Sequence, residues 1–248
     1  MRRVLHEIKR DQDIPLMQCH RAAKVKKAAK TGPQIIVNWE SSFPAELHAL
    51  PQARFLHMIR DPRDVLLSGM RYHRKAPLGR EKFLAEPRED LGGRNYQDHL
   101  NALPNDMDRW KFEMNNKHAQ SLREMLAWDR GAPNTIDVKY EDMIVDVECV
   151  QFRKILEGFE IEGLDIDRAV KSFWLHSLFG GVAEDGERGR QHALHIASGS
   201  VGQWKTQMPR ALAEIYAANY GEALKTLGYA ADDSWVSECP VTVDAGAA

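Results

Sequence analysis

The stretch Arg54–Arg74, RFLHMIRDPRDVLLSGMRYHR, changes its pattern partway along. Phe55, Leu56, Met58 and Ile59 form a compact apolar run broken by His57, the pattern of a short strand covered on both faces. Asp61 supplies an N-cap oxygen, and Pro62 suits the first helical position because the N–H it lacks would be unpaired there anyway. Asp64, three residues past the cap, is spaced to reach back and complete a capping pair. The spacing therefore predicts a strand over residues 54–59, a tight turn, and a helix opening on Asp61. Arg60 falls at the mouth of that helix, where backbone N–H groups and the helix dipole favour an anion.

Seven residues, about two turns, separate Asp61 from Ser68, so the two lie on nearly one helical face. The long side chain of Arg60 can reach towards the Ser68 hydroxyl, and an arginine fork converging with a hydroxyl makes a phosphate clamp. Over residues 54–75 six arginines and lysines stand against two aspartates, a local net of +4 in a chain whose formal net charge is −2. Spacing alone leaves two readings open: a phosphate clamp, or a surface helix with solvated arginines.

RDPRDVLLSGMRYH resembles the 3′-phosphate-binding motif of sulfotransferases that use 3′-phosphoadenosine 5′-phosphosulfate (PAPS). The resemblance implies that Arg60 and Ser68 hold the 3′-phosphate. VKYEDM (138–143) is similar to the strand-end YED motif of that family, which implies an adenine-edge contact for Tyr140; a tyrosine merely packing at a sheet end is the alternative. SGSVGQWK (198–205) is similar to the Gly-x-x-Gly-x-Trp-Lys loop that closes over the 3′-phosphate, which brings in Ser198, Gly199 and Gly202. The family often carries Arg and Lys just before the first glycine. Here Ala197 and Ser198 stand there, so backbone N–H groups of residues 198–201 would serve, with Arg188 or Arg190 as substitutes.

The same resemblance places the general base within WESSFPAELHAL (39–50). Phe43-Pro44 is similar to the family's Leu-Pro step, and the histidine that precedes it in the cytosolic branch falls on or near Ser42. A serine is not basic enough to deprotonate an alcohol unaided, so Glu40 is the candidate base and His48 the second choice. Either residue could equally be structural, Glu40 as a solvated strand end and His48 on a following helix. The strand, phosphate loop and helix that cradle the 5′-phosphosulfate in the family are not found: Lys30-Thr31-Gly32 precedes a strand, and Pro33 disrupts the next helical position. The chain is expected to be N-terminally incomplete or divergent, which leaves a catalytically inactive nucleotide-binding or interaction protein of the same fold as the alternative.

Composition bounds the remainder. The 248 residues are 43% hydrophobic and 28% charged, which suits one large globular domain with a sizeable core. The near-neutral balance argues against general nucleic-acid binding. Cys19, Cys149 and Cys239 have no C-x-x-C spacing, which fits a reducing compartment and suggests neither a disulfide framework nor a zinc site. His192 and His195 lack further ligands at metal spacing, so no metal is expected. No apolar run approaches membrane-spanning length and no signal-peptide pattern opens the chain, so a cytoplasmic location without membrane association is expected.

Helical periodicity appears at Val4, Leu5 and Ile8, in the Ala/Lys stretch 20–30, and over 106–129, 146–159, 165–178 and 209–227. Strands are expected at 34–39, 54–59 and 135–140. Residues 76–104, rich in Pro, Gly and charge, read as a lid or mobile insertion bordering the acceptor pocket. The alternation predicts a three-layer α/β/α domain over residues 1–229 with a central parallel sheet, a P-loop NTPase-like sulfotransferase fold, and a disordered tail over 230–248. What the resemblance implies is sulfuryl transfer from PAPS, leaving adenosine 3′,5′-bisphosphate, to a hydroxyl or amine of a small-molecule or glycan acceptor.

Overall fold

The computed structural model describes residues 1–18, 34–38, 43–79, 81–184 and 201–243. In chain order the elements begin with helix α1 (Arg2–Gln12), strands β1 (Leu16–Gln18) and β2 (Ile35–Val37), short helix α2 (Ala45–His48), strand β3 (Phe55–Ile59) and helix α3 (Pro62–Lys75). Helices α4 (Lys82–Ala85), α5 (Tyr96–Ala102), α6 (Asp106–Asn115) and α7 (Lys117–Leu126) precede strand β4 (Thr135–Lys139). Then come α8 (Tyr140–Ile144), α9 (Val150–Phe159), α10 (Ile166–His176), α11 (Gly181–Glu184), α12 (Trp204–Gln207) and α13 (Arg210–Thr226).

Helices and parallel strands make this an α/β chain. Among the described residues the strands form two separate two-stranded parallel sheets, β1 with β2 and β3 with β4, where the sequence reading expected one central sheet. β1 leaves no signal in the sequence, because three residues bounded by Pro15 are too short to display a period. In β3, Phe55, His57 and Ile59 are buried on one face; on the other, Leu56 is partly buried against the first unit's main cluster and Met58 is 37% exposed.

The chain folds as two compact units, each built from two segments: residues 1–59 with 127–199, and residues 60–126 with 200–248. In the first, Val4 and Ile8 of α1 bury against Phe152, Ile155 and Leu156 of α9 and Phe173 of α10. Glu7 on the same helix accepts hydrogen bonds from the Ser172 hydroxyl and from His176 Nε2 (2.8 Å), tying α1 to α10. Burial opposes the charge on Glu7, but the bonds from Ser172 and His176 outweigh it and hold its carboxyl below the usual range. Asp146 accepts from the amides of Val150, Gln151 and Phe152 and so satisfies the open first turn of α9. A smaller cluster joins Leu47, Phe55 and Trp128. There His57 stacks on Trp128 at 4.7 Å, and its Nδ1 lies 3.0 Å from Oδ1 of Asp137, its partner in the β3–β4 register.

The second unit has the larger core, with Leu66, Leu67 and Met70 of α3 packed among Trp110, Met114, Leu212 and Tyr216. The expected helix over 106–129 is two helices, interrupted at Asn116, whose Nδ2 donates to the Phe112 carbonyl. Residues 76–104 are not the expected loose insertion: Leu84, Tyr96 and Leu100 are fully or almost fully buried in this core. The Tyr96 hydroxyl donates to Glu113 Oε2 (2.7 Å), which also lies 2.9 Å from His73 Nδ1. The tail is likewise ordered where described. Residues Asp233–Glu238 form a 3-10 turn that buries Trp235, and Arg210 N–H donates to the Pro240 carbonyl. Gly221 lies close beneath this turn: a Cβ there would meet Asp233 Oδ1 at 2.8 Å, a contact the carboxylate could relieve by turning aside.

Candidate functional site

Helix α3 begins as its sequence dictates. Asp61 is the N-cap, its Oδ1 accepting from the Arg63 amide at 2.9 Å, and Pro62 occupies the first helical position. The Asp61 carboxylate does more than cap. It takes Nε and Nη2 of Arg63 at 2.9 and 2.7 Å, and the indole N–H of Trp204 at 3.1 Å. Arg63 is buried, with its guanidinium 3.8 Å from the Trp204 ring centroid and 4.7 Å from that of Trp235, and Nη2 also donates to the Tyr229 carbonyl at 3.0 Å. A cation with a bidentate carboxylate and aromatic faces on it is a compensated one. Arg63 is therefore structural.

Asp64 does not complete the expected capping pair. Its carboxylate, with no exposed surface, accepts from the backbone N–H of Gly202 (2.7 Å) and of Trp204 (3.0 Å). The first turn of α3 thus fastens the Gly202–Gln203–Trp204 segment at three points, two amides on Asp64 and one indole on Asp61. Gly202 makes the turn possible with φ +73°, a conformation that side-chain-bearing residues rarely adopt. Burial pushes the Asp64 carboxyl above its usual range, with Asp61 adding to the effect; the amides of Trp204 and Gly202 and the charge of Arg60 pull the other way without prevailing.

One turn along, the Ser68 hydroxyl donates to the Asp64 carbonyl at 2.7 Å. Donating to an anion instead requires the O–H to turn about the Cβ–Oγ bond, giving up the Asp64 carbonyl. Arg71, three residues further on the same face, extends its fork to two glutamines: Nη2 donates to Gln203 Oε1 and Nη1 to Gln207 Oε1, both at 2.6 Å. Burial lowers the proton affinity of Arg71; Asp64 supports its charge and Arg60 opposes it, so all three lie within electrostatic range.

Arg60, Ser68 and Gly202 therefore belong to one unit, together with Asp64 and Arg71. His48 and Tyr140 belong to the other. Tyr140 opens helix α8 instead of ending a strand, and the exposed His48 sits on α2, its ring stacked on Phe55 at 4.3 Å and 9°. Glu40, Ser198 and Gly199 lie outside the described residues, as do Lys30-Thr31-Gly32, Ser42, Arg188, Arg190, His192 and His195. Sequence reading missed Asp64, Arg71, Gln203 and Gln207 as a group. The signal for the first two was present: residues 64, 68 and 71 repeat at four and three, the spacing of one helical face. Among the described residues no cluster of three or more potential ligands could hold a metal ion, and no helix is long and apolar enough to cross a membrane.

The elements and the fastened loop define an α/β protein in which the carboxylates at the start of one helix hold a glycine turn against it. The comparison with protein families makes the assignment particular: the Sulfotransferase family model matches residues 41–165, half of the chain, and the chain belongs to that family. The match takes in Arg60, Ser68, Arg71 and Tyr140 and ends before the Gly202 turn. No curated protein and no solved structure matched the chain.

Proposed function

We propose that this sulfotransferase uses PAPS as donor and transfers its sulfuryl group to a hydroxyl or amine of a small-molecule or glycan acceptor, within a P-loop NTPase-like three-layer fold. The observation that carries the reading is the fastening of the Gly202 turn to the helix that bears Ser68 and opens just after Arg60. Two carboxylates hold that turn beside the helix before any ligand arrives, which lowers the ordering cost of binding. Arg60 and Ser68 take the 3′-phosphate, the loop 198–202 closes on it with backbone N–H groups, and Tyr140 meets the adenine edge. The residues fit an anion: Arg60 and Arg71 lie within electrostatic range of each other and of one aspartate whose ionisation burial disfavours.

The chemistry is an in-line displacement at sulfur, so the protein's part is positioning and charge stabilisation. The acceptor oxygen or nitrogen bonds to sulfur, the bond from sulfur to the 5′-phosphate oxygen breaks, and the bisphosphate leaves. Glu40 takes the acceptor proton, with His48 as the second candidate. Titration calorimetry with adenosine 3′,5′-bisphosphate tests the clamp. Arg60→Ala is expected to weaken binding at least tenfold, about 1.4 kcal/mol; unchanged affinity removes Arg60 from the site. Binding without transfer from labelled PAPS to any acceptor would mark a nucleotide-binding protein that has lost the reaction.

A further inference from the structure

Arg71 is an unusual cation. Both of its described hydrogen-bond partners, Gln203 Oε1 and Gln207 Oε1, are neutral amide oxygens, and among the described residues it makes no ion pair. Its Nε is buried and has no hydrogen-bond partner. Arg63, eight residues earlier on the same helix, shows what a purely structural arginine looks like here, with a bidentate carboxylate, a carbonyl and two indole faces. A half-buried guanidinium without such compensation is held against a desolvation penalty, which a ligand anion would relieve. The two glutamines fix the fork in place without neutralising it. They stand in Gln203–Gln207, the segment that follows the Gly202 turn.

Resting on the bisphosphate reading of the same site, we propose that Arg71 is a specificity-determining residue that selects nucleotides bearing a 3′-phosphate. Ser68 lies three residues before it on one helical face, and Arg60 is close enough to repel it. A phosphate dianion offers three terminal oxygens to donors that converge from different directions. Two guanidiniums and a hydroxyl match that demand, while a ribose bearing only a hydroxyl leaves Arg71 uncompensated. The planar fork matters: Arg71 meets the two glutamines with two separate nitrogens, whereas the three donors of a lysine radiate from one nitrogen, so a lysine keeps the charge but not the span of the fork.

Calorimetry on the full chain with two probes, adenosine 3′,5′-bisphosphate and adenosine 5′-monophosphate, tests this. In Arg71→Ala, affinity for the bisphosphate is expected to fall at least tenfold while affinity for the monophosphate changes less than twofold. Arg71→Lys, expected to lose at least threefold in the same ratio, gives the measurement should the alanine variant fail to fold. Equal weakening of both probes would show that Arg71 only shapes the loop, and an unchanged ratio in both variants likewise overturns the proposal. The wild-type and Arg60→Ala measurements separate the two layers. A wild-type chain that does not prefer the bisphosphate sinks the site as a whole, whereas a preference abolished by Arg60→Ala and kept in both Arg71 variants sinks Arg71 alone.

Discussion

Asp64 carries two backbone hydrogen bonds on one side chain with no exposed surface, so a change at this position is read directly as a change in the loop. Asp64→Asn keeps the shape but turns an amide NH2 towards one of the two donors, Gly202 or Trp204. Leaving a buried donor unsatisfied costs about 1–3 kcal/mol. The expected outcome is a urea midpoint lowered accordingly, with faster hydrogen exchange at the amides of Gly202 and Trp204. Protection retained at both amides would show that Asp64 does not hold the turn. Arg63 is the contrasting residue. Arg63→Ala removes the buried cation that faces the Asp61 carboxylate and opens the space between Trp204 and Trp235, so a loss of about 3–5 kcal/mol is expected in denaturant unfolding. Ser68→Ala removes only a hydroxyl that bonds its own helix, and its effect on stability is expected to stay within about 0.5 kcal/mol.

At the scale of elements, the predicted strand and helix around Arg60 are present because local chemistry decides them: a β-type apolar run, a capping aspartate and a proline at the first helical position. The helix over 209–227 is legible for the same reason, with Leu212, Tyr216 and Leu224 buried on one face and Gly228 just beyond the end at φ +73°. What the sequence hid was decided by distant partners. The segment 76–104 shows no period because its short helices bury only one or two anchors each, Leu84 on α4 and Tyr96 and Leu100 on α5, in a core drawn largely from other elements. The tail lacks periodicity because one indole, Trp235, holds it. Arg71 reads as surface charge until Gln203 and Gln207 are placed beside it. An element-level test lies at α9, which begins without a cap hydrogen bond from Cys149. Asp146 does that work from three residues earlier, so Asp146→Ala is expected to cost about 1–2 kcal/mol, visible as a lowered Tm.

For the molecule as a whole, buried histidines are expected to contribute to the loss of stability in acid. Burial lowers His118, hydrogen-bonded through Nε2 to the Tyr216 hydroxyl at 2.9 Å, from 6.5 to about 4. Its contribution is complete above the unfolded value of 6.5 and is lost as pH falls towards 4, because only the unfolded chain takes up the proton in that window. The loss is on the order of 3 kcal/mol. Burial also lowers His57, which adds in the same sense; the bond to Asp137 partly opposes this. Asp64, raised by burial, acts in the opposite direction. Urea midpoints measured between pH 7 and 4 are expected to fall steadily, and to fall less in His118→Gln. The division of the chain has a consequence for its synthesis. Each unit joins an early segment to a late one, 1–59 to 127–199 and 60–126 to 200–248, so neither can close while the ribosome is still making the middle of the chain. The core of the second unit waits for Trp204, Leu212, Tyr216 and Trp235, and helices α3, α5 and α6 emerge with their apolar faces uncovered. Over that interval the nascent protein is a natural client for chaperones.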